Sequence, residues 1–218
     1  MRITLPTGTT AELAQPDTGA PIQGLVVIPD IMGLRPLFDD LCARLAHEYN
    51  LAVCAPEVFP GLEDEPLEWR LDHGGAVPDD RRLADIVAAA DATGCETVGV
   101  LGFCMGGMLT LKAAGTGRFS RAVAFYGMIR TPEAWSNDAT IEPLDAVTAP
   151  SACPVMHIAG SVDQWTPEAD LQALEAAGGT VVRYEGADHG FVHDASRPSH
   201  RAADAADAWT RAMGFLNG

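Results

Sequence analysis

Short apolar runs bounded by glycine or proline alternate along this chain with longer segments of helical period, and that alternation restricts the fold more than any other feature. The runs are Leu25–Ile28, Leu51–Cys54, Thr97–Leu101, Ala122–Phe125, Val155–Ile158 and Thr180–Tyr184. Nearly uncharged runs of this length suit strands buried on both faces, and helical segments between them suit the crossovers of a parallel sheet. The pattern predicts an α/β fold, a mostly parallel twisted sheet with helices on both faces. Residues 2–5 and 9–14 read as a less buried hairpin at one edge.

The helical segments carry stripes. Leu37, Leu41 and Leu45 recur every fourth residue, behind a Pro36 that a first helical turn tolerates and with Asp39 and Asp40 at its positive end. Leu83, Ile86, Val87 and Ala90 form a second stripe, and Ala202, Ala206, Trp209, Met213 and Leu216 a third. Two stretches, 57–79 and 128–151, are rich in proline, glycine and acidic residues and show no period. Long excursions of that kind in a compact domain are usually lids or binding loops. At 218 residues, without linker or repeat, the chain reads as one domain, 1–218.

Charge and cysteine usage narrow the function. Fourteen Lys and Arg against 30 Asp and Glu give a net charge of −16, which repels phosphate backbones and anionic lipid. Nucleic acid and membrane are therefore not expected partners; a small molecule is, with the chain a monomer or homodimer. The first residues lack a secretory apolar stretch, and no run reaches the ~18 apolar residues of a membrane span. The five cysteines, Cys42, Cys54, Cys95, Cys104 and Cys153, show no C-x-x-C pair. An odd count without a framework fits reduced thiols and a cytoplasmic location.

One thiol stands out. Directly after the run Thr97–Leu101 comes Gly102-Phe103-Cys104-Met105-Gly106-Gly107, then an apolar helix-compatible segment. This is the G-x-C-x-G form of a nucleophile elbow, in which glycines relieve crowding where a strand turns sharply into a helix. The apex residue is held in a strained conformation at the helix N-terminus, where amide N–H groups favour a thiolate. A buried cysteine in a glycine-rich turn is the plain alternative.

In an α/β-hydrolase fold the acid and the histidine follow the nucleophile on loops after later strands. Asp163 lies in the loop after Val155–Ile158, and His189 in the loop after Tyr184. His189 is thus the expected base for Cys104, with Asp163 fixing its tautomer. Asp188 is the alternative acid, and a cap for the helix starting near Pro167 is the alternative role for Asp163. His189 and His193 are spaced like a metal pair, but Gly190 marks a loop between them, and neither metal nor cofactor is expected. His157 reads as a core histidine.

These residues resemble the dienelactone hydrolase (carboxymethylenebutenolidase) family over nearly the whole chain. The resemblance rests on Gly102–Gly107, Pro29-Asp30-Ile31-Met32-Gly33, Phe125-Tyr126-Gly127, the Gly160–Asp163 loop and His189-Gly190-Phe191. It implies a carboxylic ester hydrolase with a Cys104–His189–Asp163 triad that opens unsaturated lactones in the breakdown of aromatic compounds, through a cysteine thioester. It also implies an oxyanion hole made of the Ile31 and Met105 amides.

Two departures mark this sequence. Asp30 stands where the family usually has a glutamate that modulates the thiol; the shorter Asp30 is either such a modulator or a strand-end cap. The arginine that family members carry shortly after the catalytic histidine is missing from Phe191-Val192-His193-Asp194, and the first arginine is Arg197. Arg35, Arg70, Arg81 and Arg130 are the remaining candidate anion partners, and Tyr126 and Phe191 candidate substrate contacts. A thioesterase or acyl transferase on the same scaffold, or a non-catalytic redox-responsive thiol protein, are the rival readings.

Overall fold

Each apolar run becomes a strand in the computed structural model, which describes residues 1–218. The strands are β1 (Arg2–Thr4), β2 (Thr10–Ala14), β3 (Gln23–Ile28), β4 (Leu51–Pro56), β5 (Val98–Phe103), β6 (Ala122–Phe125), β7 (Val155–Gly160) and β8 (Thr180–Tyr184). They form one sheet in the order β1-β2-β4-β3-β5-β6-β7-β8. The edge hairpin β1–β2 is antiparallel and joins β4 antiparallel; every pair from β4 to β8 is parallel. After β3 the chain crosses to β4 on one side, then returns to β5 on the other. That reversal opens a crevice beyond the carboxyl ends of β3 and β5, where open α/β sheets take ligands.

Alternate residues of each strand feed two cores. On one face Val26, Ile28, Val98 and Val100 pack with α3 (Asp79–Ala92), α4 (Met105–Ala114) and α6 (Glu168–Ala176). On the other, Leu25, Val27, Leu51 and Val53 pack with α1 (Pro36–Tyr49) and α7 (Ala202–Asn217). All ten residues of α4 are buried. A helix this apolar belongs in the interior, its one charge, Lys112, being paired with Asp79, and here it runs on from the elbow.

One expectation is corrected, and the excursions gain detail: 57–79 contains the short helix α2 (Leu67–Asp72), and 128–151 contains a 3-10 turn at Glu133–Trp135 and the short helix α5 (Pro143–Val147). On α7 the buried column is Ala205, Ala208, Ala212, Met213 and Leu216, while Ala202 and Ala206 are exposed. Where neighbouring columns are both alanine, period alone does not choose between them. The choice is made by Asp207 on the outer side, which accepts hydrogen bonds from Tyr184 Oη (2.7 Å) and Arg211 Nε (2.6 Å). No helix is long and apolar enough to cross a membrane.

Candidate active site

The elbow has the strained geometry its glycines foreshadow. Cys104 sits between β5 and α4 at φ 56°, ψ −119°, a region that costs a non-glycine residue about 1–3 kcal/mol. The strain is held by its neighbours: Cys104 N–H donates to Phe125 O, and Cys104 O accepts from Met108 N–H, both at 3.0 Å. Gly106 permits the close approach that completes the site. A Cβ there would lie 2.3 Å from Ile28 O and 2.2 Å from Pro29 O, so only glycine lets the end of β3 rest on the first turn of α4.

Two amides on the segments that meet there lack a protein acceptor. The Met105 N–H is in the first turn of α4, without an intrahelical acceptor. Met32 N–H donates to Asp30 Oδ1 (3.0 Å), Gly33 N–H to Asp30 O (2.9 Å) and Leu34 N–H to Glu57 Oε2 (2.8 Å), whereas Ile31 N–H donates to no protein acceptor.

His189 and Asp163 come together as the sequence places them. His189 Nδ1 lies 2.8 Å from Asp163 Oδ2, and the Asp163 side chain is fully buried. Asp163 Oδ1 also accepts from Trp165 N–H at 2.8 Å; α6 begins beyond it, behind Pro167. Asp188 is not the partner, because its Oδ1 accepts the N–H of His189 itself (2.7 Å). The imidazole and the Cys104 side chain line the same cleft. Burial alone would lower the pKa of His189, but the hydrogen bond with Asp163 and the influence of Asp163 and Cys104 outweigh it, and the pKa is pushed up to about 10.

Asp30 lies in a second polar cluster. Arg35 grips it with two bonds, Nη1 to Oδ1 (2.6 Å) and Nη2 to Oδ2 (2.8 Å), and His193 Nε2 donates to Oδ2 at 2.9 Å. A carboxylate only accepts, so His193 Nδ1 is left to accept from Tyr126 Oη, 2.5 Å away. Burial would raise the Asp30 pKa, yet the bonds from His193 and Arg35 hold it well below the usual carboxylate range. For His193 burial wins over Asp30, and its pKa is lowered. Both ring nitrogens of His193 are thus engaged, and the ring stacks on Phe103 at 4.7 Å.

The remaining candidates fall outside the cleft. Arg35 is spent on Asp30. Arg70 is buried and donates to main-chain carbonyls. Arg81 pairs with Asp85, and Arg130 with Asp170. Tyr126 and Phe191 are fully buried against each other. His157 is a core residue, as expected, with Nε2 at 2.8 Å from Gly127 O and burial pushing its pKa down to about 4.

The cleft over Cys104 has a volume of about 260 Å³. Asp30, Ile31, His189 and Cys104 form its floor; Met128, Trp135, Leu67 and Leu71 from the two excursions, with Met32 and Trp165, form its walls. Of seven exposed large hydrophobic side chains in the protein, four line this cleft: Met32, Leu67, Leu71 and Trp165. An apolar patch gathered at a concavity marks a binding site. The wall also holds Arg197, whose guanidinium makes no ion pair and packs against Gly190, so closely that a Cβ there would lie 2.6 Å from Nη1. Sequence reasoning missed Trp135, Leu67 and Leu71, which sit in segments without a period, and Trp165, in the loop after β7, and passed over Arg197, whose only signal is its place eight residues beyond His189.

Known proteins match this architecture. The model of the dienelactone hydrolase family matches residues 9–218. A Methylorubrum extorquens protein named "Putative carboxymethylenebutenolidase" is 33% identical over 218 residues, covering 91% of this chain and 72% of that protein. An Escherichia coli O157:H7 protein of the same name is 33% identical over 211 residues, covering 88% of this chain and 76% of its own. A solved structure of a "Putative Dienelactone Hydrolase" from Klebsiella pneumoniae subsp. pneumoniae MGH 78578 superposes with a TM-score of 0.87 at 27% identity, covering 100% of this chain and 97% of its own. With a family match across β2 to α7 and an α/β-hydrolase sheet, the chain belongs to the dienelactone hydrolase family and is a carboxylic ester hydrolase.

Proposed function

We propose that the protein hydrolyses lactones or activated esters through a thioester on Cys104, with His189 carrying the proton and Asp163 holding the imidazole. The observation that carries this reading is His189, held by Asp163 through Nδ1, lining one cleft with Cys104 at the head of α4. A raised imidazole pKa suits His189 to take up and hold a proton beside Cys104.

The steps balance. The thiolate of Cys104 attacks the acyl carbon, and the oxyanion that forms is met by the Ile31 and Met105 amides; one such donor is typically worth about 10²- to 10³-fold in rate. As the acyl–oxygen bond breaks, imidazolium His189 gives its proton to the leaving oxygen, which in a lactone stays tethered to the acyl chain. Neutral His189 then takes a proton from water, hydroxide adds to the thioester, and the sulfur leaves as thiolate, restoring the pair. The apolar walls fit a substrate with an apolar body, and Arg197 fits an anionic group at its non-reacting end. The free thiols fit a reducing compartment such as the cytoplasm.

The test is steady-state hydrolysis of phenyl acetate and of a lactone by wild type, Cys104→Ala and His189→Ala, with mass spectrometry of quenched reactions. Loss of turnover in both variants and an acyl adduct on Cys104 are expected. Equal turnover in all three overturns the reading.

A further inference from the structure

Arg70 is buried, yet it forms no ion pair, and its donors all go to main-chain carbonyls. Nε donates to Glu65 O (2.9 Å), Nη2 to Glu63 O (2.5 Å), and Nη1 to Ile31 O (3.1 Å), with the guanidinium over the Phe59 ring at 5.0 Å. Burying a cation without a counter-charge is costly, and packing alone does not require it. The one long-range carbonyl it reaches belongs to Ile31, whose N–H has no protein acceptor and which lines the cleft with Cys104.

The peptide planes around Ile31 show what that bond does. The Asp30–Ile31 peptide has its carbonyl held by Gly33 N–H, and in a trans peptide the Ile31 N–H points the opposite way. The next peptide, Ile31–Met32, is held at both ends: its N–H by Asp30 Oδ1, and its oxygen by Arg70. Without Arg70 this plane keeps only the clamp from Asp30, inside the same turn. Arg70 is also the member of α2 that turns inward, while Leu67 and Leu71 of the same helix line the cleft. We propose that Arg70 is a positioning residue for the oxyanion hole: it fixes the direction of the Ile31 amide from the helix that also contacts the substrate.

The inference rests on the thioester reading, and the experiment separates the two. Arg70→Met keeps the buried stem and removes every donor; Arg70→Lys restores a cation. Each is assayed for kcat and KM on phenyl acetate, for affinity toward a trifluoromethyl ketone, whose thiol adduct carries a tetrahedral oxyanion, and for alkylation of Cys104 by iodoacetamide, which develops no oxyanion. Arg70→Met should lower kcat about 10- to 100-fold, the scale of a misplaced catalytic donor. Ketone affinity should fall by a similar factor, with KM and the alkylation rate within about threefold of wild type, and Arg70→Lys should recover part of the loss. Unchanged kcat and ketone affinity overturn the inference, as does alkylation slowing in parallel, since that reports a general loosening of the site. Wild type without Cys104-dependent turnover would instead overturn the thioester reading itself, before any Arg70 variant is compared.

Discussion

His189 and His193 stand four residues apart on one loop, each hydrogen-bonded to an aspartate, and their protonation is driven in opposite directions. The pKa of His189 is pushed up to about 10; that of His193 is lowered. The difference lies in what the aspartates and the second ring nitrogens already hold. Asp163 receives no arginine, so its charge is directed at His189, whose ring also meets an ionisable thiol. The charge of Asp30 is shared with the two-pronged grip of Arg35, and His193 meets Tyr126 Oη, a proton that burial holds firmly in place. One histidine is the proton carrier of the proposed reaction. The other, stacked on Phe103, is a structural strut.

The sharpest way to break that contrast is to exchange each ring for an amide. His189→Gln removes the proton carrier, and kcat on phenyl acetate should fall at least about 10²- to 10⁴-fold with the fold intact. His193→Gln should change kcat less than about tenfold and instead lower stability by about 1–3 kcal/mol in chemical denaturation, because buried partners on Asp30 and Tyr126 lose their fit. Comparable rate losses in the two variants would erase the distinction.

Next in size is the exchange of the aspartates. Asp163→Asn offers His189 an amide in place of a charge and permits the wrong tautomer, so kcat should drop on the order of 10²-fold or more while phenyl acetate KM stays within a fewfold. Asp30→Asn leaves the His189 pair untouched and loosens the turn that carries Ile31, so its loss should be about tenfold. A larger loss from Asp30→Asn would mean that Asp30 acts on the thiol directly.

How much of this was visible in the sequence follows from how local each determinant is. The elbow is legible because its requirements lie within six consecutive residues: a strand, a tight turn eased by glycine, and a helix behind it. Asp163 and His189 are legible because a parallel sheet delivers the loops after β7 and β8 to the same edge as the elbow. The cleft walls are not legible. Leu67, Leu71 and Trp135 belong to excursions without a period, and they meet only in the folded chain, where Trp135 Nε1 donates to Leu71 O at 2.6 Å. The burial of Asp79 and Lys112 as a pair is equally hidden, since α3 and α4 reveal their contact only after both lie on the sheet. His193 shows the limit of spacing: a four-residue interval suggests shared ligation on a helix, but on this loop the two rings turn to separate partners.

A smaller effect, opposite in sign for the two rings, should appear in stability against pH. A group whose pKa is raised on folding stabilises the native state fully below its ordinary value, here 6.5, and that contribution is lost as pH climbs toward about 10. A histidine whose pKa is lowered behaves in reverse: the unfolded chain takes up the proton first, and stability falls as pH drops below 6.5. The gap between wild type and His189→Gln should therefore shrink from pH 6.5 to pH 10, and the gap to His193→Gln should shrink on the acid side. His157, pushed down to about 4, adds to the acid-side loss in every variant alike and cancels in the comparison. Thermal melts at fixed salt read both slopes, and gaps that do not change with pH would remove the electrostatic account.

The smallest expected effect separates the two arginines nearest these histidines. Arg35 is bound to Asp30, while Arg197 lies exposed on the cleft wall without an ion pair. An exposed guanidinium gains little from meeting an anion in water, so Arg197→Ala should raise KM only about three- to tenfold, and only for an ester bearing a carboxylate at its non-reacting end. The neutral ester of the same shape should be unaffected, and the preference of wild type for the charged substrate should fade as salt is raised, because exposed charges are screened over about 10 Å at 0.1 M. Arg35→Ala should show the other signature, a loss equal for both esters, since it acts through the Asp30 turn. If the neutral ester suffers as much as the charged one from Arg197→Ala, Arg197 is part of the wall, and the anionic end of the substrate must be sought elsewhere.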